Sequence, residues 1–122
     1  MALTRLEIST KYSVAIMGGI CRSNKQECYT IIINPATHYT DFIRPDGTIH
    51  YMGQDGGASC RNNKSLNNTD WPLHVYIKVP DTHVYSYLGV YRRHGYAYQL
   101  ADSRVMFVLR KECPEQVQVV LS

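Results

Sequence analysis

The chain has 122 residues, of which 44% are hydrophobic, a length and composition that suit one compact domain and exclude a disordered segment. Its formal charge of +3 is compatible with a phosphate-bearing partner but does not by itself require one. No apolar run reaches the roughly 18 residues of a membrane-spanning helix, and the charged N-terminus MALTRLEIST lacks the apolar core of a secretion signal, so the expected location is intracellular: nucleus in a eukaryote, cytoplasm in a bacterium or phage.

Along the chain, short β-like runs alternate with turn chemistry. Residues 12–17 (YSVAIM) read as a strand that stops at Gly18 and Gly19. Residues 29–33 (YTIII) are β-branched and continuous, as in a buried central strand, and end at Asn34 and Pro35. Residues 48–52 (TIHYM) follow the turn Pro45-Asp46-Gly47. Residues 73–79 (LHVYIKV) alternate before Pro80 and Asp81. Residues 85–91 and 104–110 are two further strands, and 117–121 read as a last edge strand. Helical periodicity is weak, fitting a turn or two around residues 63–67 and another near the N-terminus. Seven strands with regular turns suggest a barrel or sandwich, because closure satisfies strand edges. The expectation is one mainly β domain over residues 1–122 with its core at about 11–111.

The four cysteines, Cys21, Cys28, Cys60 and Cys113, form no C-x-x-C pair and are read as reduced structural thiols. The five histidines show no ligand spacing, so neither metal nor cofactor is expected. Tyrosine is the unusual entry in the composition, with ten copies against two Phe and one Trp.

The stretch HYTDFIRPDGTIHYMGQDGG places Tyr39 and Tyr51 on either side of a turn, with the carboxylate of Asp41 and a glycine cluster beside them. By themselves, two such tyrosines are usually cross-strand packing, an aspartate such as Asp41 usually holds a turn, and Gly53, Gly56 and Gly57 serve bends. Taken in order, however, GGI (18–20), YTIII (29–33), HYTD (38–41), YMGQDGG (51–57), N-x-x-L (63–66), PLHV (72–75), YLGVY (87–91) and RVMFVLRK (104–111) resemble the SRA (SET- and RING-associated, or YDG) domain, a reader of modified cytosine in DNA. The likeness runs from about residue 11 to residue 111, and rests on order and spacing more than on any one motif.

The resemblance implies a PUA-like twisted β-barrel with one or two short helices. It implies a non-catalytic module that binds double-stranded DNA and flips 5-methylcytosine or 5-hydroxymethylcytosine into a pocket. Tyr39 and Tyr51 would sandwich the base, restoring part of the stacking lost on extrusion. Asp41 would accept from the exocyclic amine, a donor that thymine lacks. His38, Met52 and Gly53 would complete the base edge with backbone groups, and Gln54 would face the 5-substituent. Met17, Gly18 and Gly19 match the loop that fills the gap in the duplex. Arg22, Lys25, Arg61, Lys64, Arg92 and Arg93 border the pocket and are candidate phosphate contacts.

This chain departs from the family at three places. Y-E-D-D is Y-T-D-F, so Asp41 takes the first acidic position and Phe42 replaces the second, leaving open which of the two positions reads the base. Y-D-G is Tyr87-Leu88-Gly89. The long insertion after the glycine cluster is reduced to residues 58–62, so probing of the opposite strand is not expected. Two alternatives stand beside the reader: a PUA-like module for single-stranded or modified RNA, and a small hydrolase using the same pocket, for which no nucleophile–base motif exists. A compact form of this kind is closest to reader modules of modification-dependent restriction nucleases, whose catalytic domain would lie elsewhere.

Overall fold

The structure, a computed structural model, describes residues 2–15, 18–35, 42–54, 57 and 60–112, and for residue 42 the backbone alone. Strand β1 (Ala2–Thr4) leads directly into helix α1 (Arg5–Tyr12). The helix starts there because Thr4 and Glu7 form a capping box. Thr4 Oγ1 accepts from the Glu7 amide at 3.2 Å, and Glu7 Oε1 accepts from the Thr4 amide at 2.8 Å, so two otherwise orphaned donors are satisfied reciprocally. It ends at Ser13, whose φ of 59° is left-handed. Ile8 and Tyr12, four residues apart and therefore on one helix face, are its buried side chains.

This corrects the strand expected over residues 12–17: Tyr12 closes α1, and the described residues after it are not extended pairing partners. The capping box and the Ile8–Tyr12 pair outweigh the β-branched composition of the stretch. The first strand beyond it is β2 (Ile20–Ser23), which is not among the strands expected from the sequence.

The remaining elements are β3 (Cys28–Ile33), β4 (Phe42–Ile43), β5 (Thr48–Met52), α2 (Arg61–Asn67), β6 (Leu73–Lys78), β7 (Val84–Arg93), β8 (Tyr98–Gln99) and β9 (Val105–Lys111). They form one sheet in the order β2-β3-β6-β7-β9-β5-β4, with β1 added to β7 and β8 to β9. The sheet curls into a half-barrel, so the mainly β, barrel-like fold expected from the sequence is observed. Among the described strands, only β3 and β6 pair in parallel, Tyr29 opposite Leu73 and Ile33 opposite Ile77.

All six residues of β3 are buried, because both faces of the sheet are covered there. One face carries the larger cluster, including Ile31, Ile33, Tyr51, Leu66, Phe107 and Leu109. The other packs Cys28, Ile32 and Tyr76 under Ile8 and Tyr12 of α1. Leu66 of α2 is fully buried in the larger cluster, so the two helices close opposite faces of the sheet. Truncating Leu66 to Ala would cost about 2–5 kcal/mol, the usual range for a buried leucine.

Two turns explain short motifs. Asp46 Oδ1 accepts from the Thr48 amide at 3.0 Å and the Thr48 hydroxyl at 2.7 Å, so the Pro45-Asp46-Gly47 turn is fixed by its aspartate. Those donors hold the Asp46 carboxyl below its ordinary range. In the β6–β7 pair, Val75 faces Gly89 while Tyr76 faces Tyr87, leaving Leu88 as the extra residue of a β-bulge. Gly89 has φ of +121°, a conformation that side chains resist. The Y-x-G motif is therefore a bulge signal, and it breaks the alternation expected over 73–79.

Candidate nucleic-acid interface

Four of the residues singled out in the sequence converge: Gly18, Gly19, Tyr51 and Gln54. Tyr51 sits on β5 opposite Phe107 of β9 and is only 4% exposed. Its hydroxyl reaches the glycine loop so closely that a Cβ at Gly19 would lie 2.5 Å from Tyr51 Oη. A Cβ at Gly18 would lie 3.7 Å from Gln54 Nε2, and the Gly18 φ of +98° is one that glycine alone adopts readily. Arg5 Nη2 donates to the Gly18 carbonyl at 3.0 Å, tying this loop to the start of α1.

The segment after Tyr51 is held by Asn63. Asn63 Oδ1 accepts from the Gln54 amide at 2.8 Å, and its Nδ2 donates to the carbonyls of Gln54 at 2.8 Å and Gly57 at 2.9 Å. Asn63 is 1% exposed, so its own amide group is shielded from water and losing these bonds is costly. Gly53 permits the approach: a Cβ there would meet Asn63 Oδ1 at 2.6 Å and Val105 Cγ2 at 2.8 Å. Met52 is buried and its sulfur lies 3.3 Å from Arg104 Nη1. The Gln54 side chain accepts from Asn62 Nδ2 at 2.9 Å.

The cations sort into two groups. Arg22, Arg61 and Lys64 line an open cleft of about 550 Å³ between β2 and α2, together with Tyr29, Ser65 and Trp71. An adjoining cleft of about 700 Å³ shares Arg22 and Arg61 and extends to Cys60 and Asn62. Arg92 and Arg93 are instead engaged within the fold. Arg92 pairs with Glu112 at 2.8 Å and donates to the Asp70 carbonyl at 2.8 Å. Arg93 donates to the carbonyls of Thr69 at 3.0 Å and Gly95 at 2.8 Å. Lys25 lies in the turn between β2 and β3 and is exposed.

Met17, His38, Tyr39 and Asp41 lie outside the described residues, as do the side chain of Phe42, Cys113 and the strand expected over 117–121. Among the described residues, Cys21, Cys28 and Cys60 form no disulfide with one another. Burial pushes Cys21 and Cys28 above their ordinary values, which disfavours the reactive thiolate. Among the described residues no cluster of His, Cys, Asp and Glu could hold a metal ion, and no helix is long and apolar enough to cross a membrane. Sequence reasoning gave no role to Asn63 or Arg5. Asn63 carried a signal, since it opens the N-x-x-L motif, whereas Arg5 carried none.

No family model and no curated protein matches the chain. Solved structures do. The SRA domain of SUVH5 in complex with hemimethylated CG DNA superposes with a TM-score of 0.70 at 19% identity, covering 92% of this chain and 86% of that one. The same domain bound to fully hydroxymethylated CG DNA gives a TM-score of 0.67 at 17% identity over the same shares. The DNA modification-dependent restriction endonuclease AspBHI gives 0.65 at 12% identity, covering 88% of this chain and 37% of its own. The chain has the fold of SRA domains.

Proposed function

We propose that this domain binds double-stranded DNA and reads 5-methylcytosine or 5-hydroxymethylcytosine by flipping the base into a pocket walled by Tyr51 and the Gly53–Gln54 backbone. The observation that carries the proposal is the junction of Gly19, Tyr51, Gln54 and Asn63 within an SRA fold. It brings a glycine loop, an aromatic ring and a backbone edge held by Asn63 together. Tyr39 would supply the second ring, Asp41 the acceptor for the exocyclic amine, and His38 and Met52 further backbone contacts. Phe42 would occupy the second acidic position of the family motif, and Met17 the tip of the loop entering the duplex.

Physical reasoning supports this division of labour. Extruding a base costs a few kcal/mol of pairing and stacking, and stacking on one aromatic ring returns about 1–3 kcal/mol. Because Tyr51 is 4% exposed, a base stacks on it only as one ring face is uncovered, so flipping and uncovering form a single coupled event. Fixed amide and carbonyl groups then discriminate, because an imperfect base edge leaves buried groups unpaired. In this reading the Gln54 side chain would meet the 5-substituent.

The test is one duplex carrying C, 5-methyl-C, 5-hydroxymethyl-C or glucosylated 5-hydroxymethyl-C at a single site, measured across a salt series. Tighter binding to a modified duplex supports the proposal. Equal binding to all four overturns it, since phosphate contacts are blind to the base.

The match to AspBHI, of which this chain covers 37%, supports a second reading: a module that delivers a nuclease to modified DNA and performs no catalysis itself. Cleavage of modified plasmid by the 122-residue chain in magnesium would overturn the non-catalytic assignment.

A further inference from the structure

We infer that the cleft between β2 and α2 is a second nucleic-acid subsite, distinct from the flipping pocket, that holds one unpaired nucleotide of a DNA strand, its base on the Arg22–Trp71 stack and its phosphate between Arg61 and Lys64. The Arg22 guanidinium lies 4.7 Å from the centroid of the Trp71 ring and 6.0 Å from that of Tyr29. It is held there by two hydrogen bonds: Nε donates to Asn24 Oδ1 at 2.6 Å and Nη1 to Ser65 Oγ at 3.2 Å. Ser65 is in turn bonded to the Tyr29 hydroxyl. A guanidinium oriented in this way offers a flat, charged face to solvent, since Arg22 is exposed.

Planar arginine faces and aromatic rings are the platforms on which unstacked bases settle, and a track of cations beside them follows the phosphates. Arg61 and Lys64 are exposed and make no ion pair among the described residues. The one carboxylate lining the cleft, Asp70, stands 3.5 Å from Arg93, which offsets its charge. The cleft volume of about 550 Å³ falls within the roughly 300–1,000 Å³ of small-ligand sites, so one nucleotide is a reasonable occupant. The adjoining cleft reaches Asn62, which bonds Gln54, so a strand leaving the pocket could continue over Arg61 onto this platform.

Trp71 is the chain's one tryptophan, so its fluorescence reports on this cleft directly. The experiment titrates the protein with an unmodified deoxythymidine octamer, the matching RNA octamer, deoxycytidine monophosphate and inorganic phosphate. Expected is quenching by the octamer and the mononucleotide but not by phosphate, with DNA favoured over RNA. Arg22→Leu should weaken octamer binding by roughly five- to hundredfold, the equivalent of one stacked base. Arg61→Ala and Lys64→Ala should each lower the slope of log affinity against log salt by about 0.7.

Absence of quenching by the octamer, equal quenching by inorganic phosphate, or tighter binding of RNA each overturns the assignment. The salt slope is read by anisotropy of labelled octamer, so it stands even where a variant alters Trp71 emission. All ligands here are unmodified and single-stranded, so failure at this cleft leaves the modified-cytosine proposal standing, and the reverse also holds.

Discussion

Gly19 and Tyr51 are in direct contact: a methyl group at Gly19 would lie 2.5 Å from the Tyr51 hydroxyl oxygen. Two motifs 32 positions apart in sequence, the glycine loop and the Y-x-G strand end, are thereby coupled in the fold. Gly19→Ala is expected to weaken both stability and modified-DNA binding. Tyr51→Phe removes the clashing oxygen and should recover part of that loss, since the next nearest ring atom, Cζ, would lie at 3.8 Å. A double-mutant cycle by denaturant unfolding should show a coupling of about 0.5–3 kcal/mol, the range for residues in contact. Strict additivity would mean that the contact carries no energy.

Asn63, itself buried, holds the backbone after Tyr51 with three hydrogen bonds. Asn63→Ala takes this partner from the Gln54 amide and carbonyl and leaves the Gly57 carbonyl with the Cys60 amide at 3.2 Å, and should destabilise the domain by roughly 1–3 kcal/mol. Modified and unmodified duplexes should then be bound with more similar affinity, because the backbone edge proposed to read the base is no longer fixed. An unchanged melting temperature and an unchanged affinity ratio would remove Asn63 from the site.

Arg92 and Arg93 should behave unlike Arg61. Arg93, whose side chain is 14% exposed, joins β7 to the loop at Thr69 and Asp70. Arg93→Ala should cost about 1–2 kcal/mol of stability through the lost hydrogen bonds to Thr69 and Gly95, while leaving the salt slope of DNA binding unaltered. Arg61→Ala should do the opposite on duplex DNA, lowering the slope by about 0.9 with little effect on unfolding.

On the face away from the site, His74 packs against Tyr12 with ring centroids 4.7 Å apart, and its Nδ1 lies 3.0 Å from the Tyr87 hydroxyl. Burial, with a smaller contribution from Lys11, lowers the His74 pKa below its ordinary 6.5. The folded state therefore prefers neutral His74, and the unfolded chain binds the extra proton first. The contribution is present above pH 6.5 and is lost as pH falls toward the depressed folded value. Unfolding free energy measured from pH 8 to pH 5 should fall on the acid side, and His74→Gln should flatten that fall. Identical profiles would exclude His74 as the source.

Much of this was legible beforehand. The β-branched run of β3, the Asp46 turn and the match of β5 to residues 48–52 follow from side-chain chemistry that acts locally. The order of motifs pointed to the fold; that a Cβ at Gly19 or Gly53 would collide with Tyr51 or Asn63 is a finding of the structure. What could not be read was tertiary. Nothing local reveals that Tyr12 belongs to a helix face with Ile8, although T-x-x-E at Thr4 and Glu7 was a capping signal that composition obscured. The two-residue strands β4 and β8 exist only because β5 and β9 offer them edges. The engagement of Arg92 and Arg93 by Glu112 and the Thr69–Asp70 loop is likewise invisible in a sequence where all arginines look alike.

The central claim is that a modified cytosine leaves the helix and enters the site beside Tyr51. It is tested most directly by duplexes with 2-aminopurine placed next to a single 5-methyl- or 5-hydroxymethylcytosine, whose fluorescence rises when the neighbouring base unstacks. Saturating protein should raise the emission on a modified duplex, leave an unmodified one unchanged, and fail to do so after Tyr51→Ala even where binding persists. Saturated binding with no rise on either modified duplex would show that the DNA stays stacked, and the base-flipping mechanism would fall.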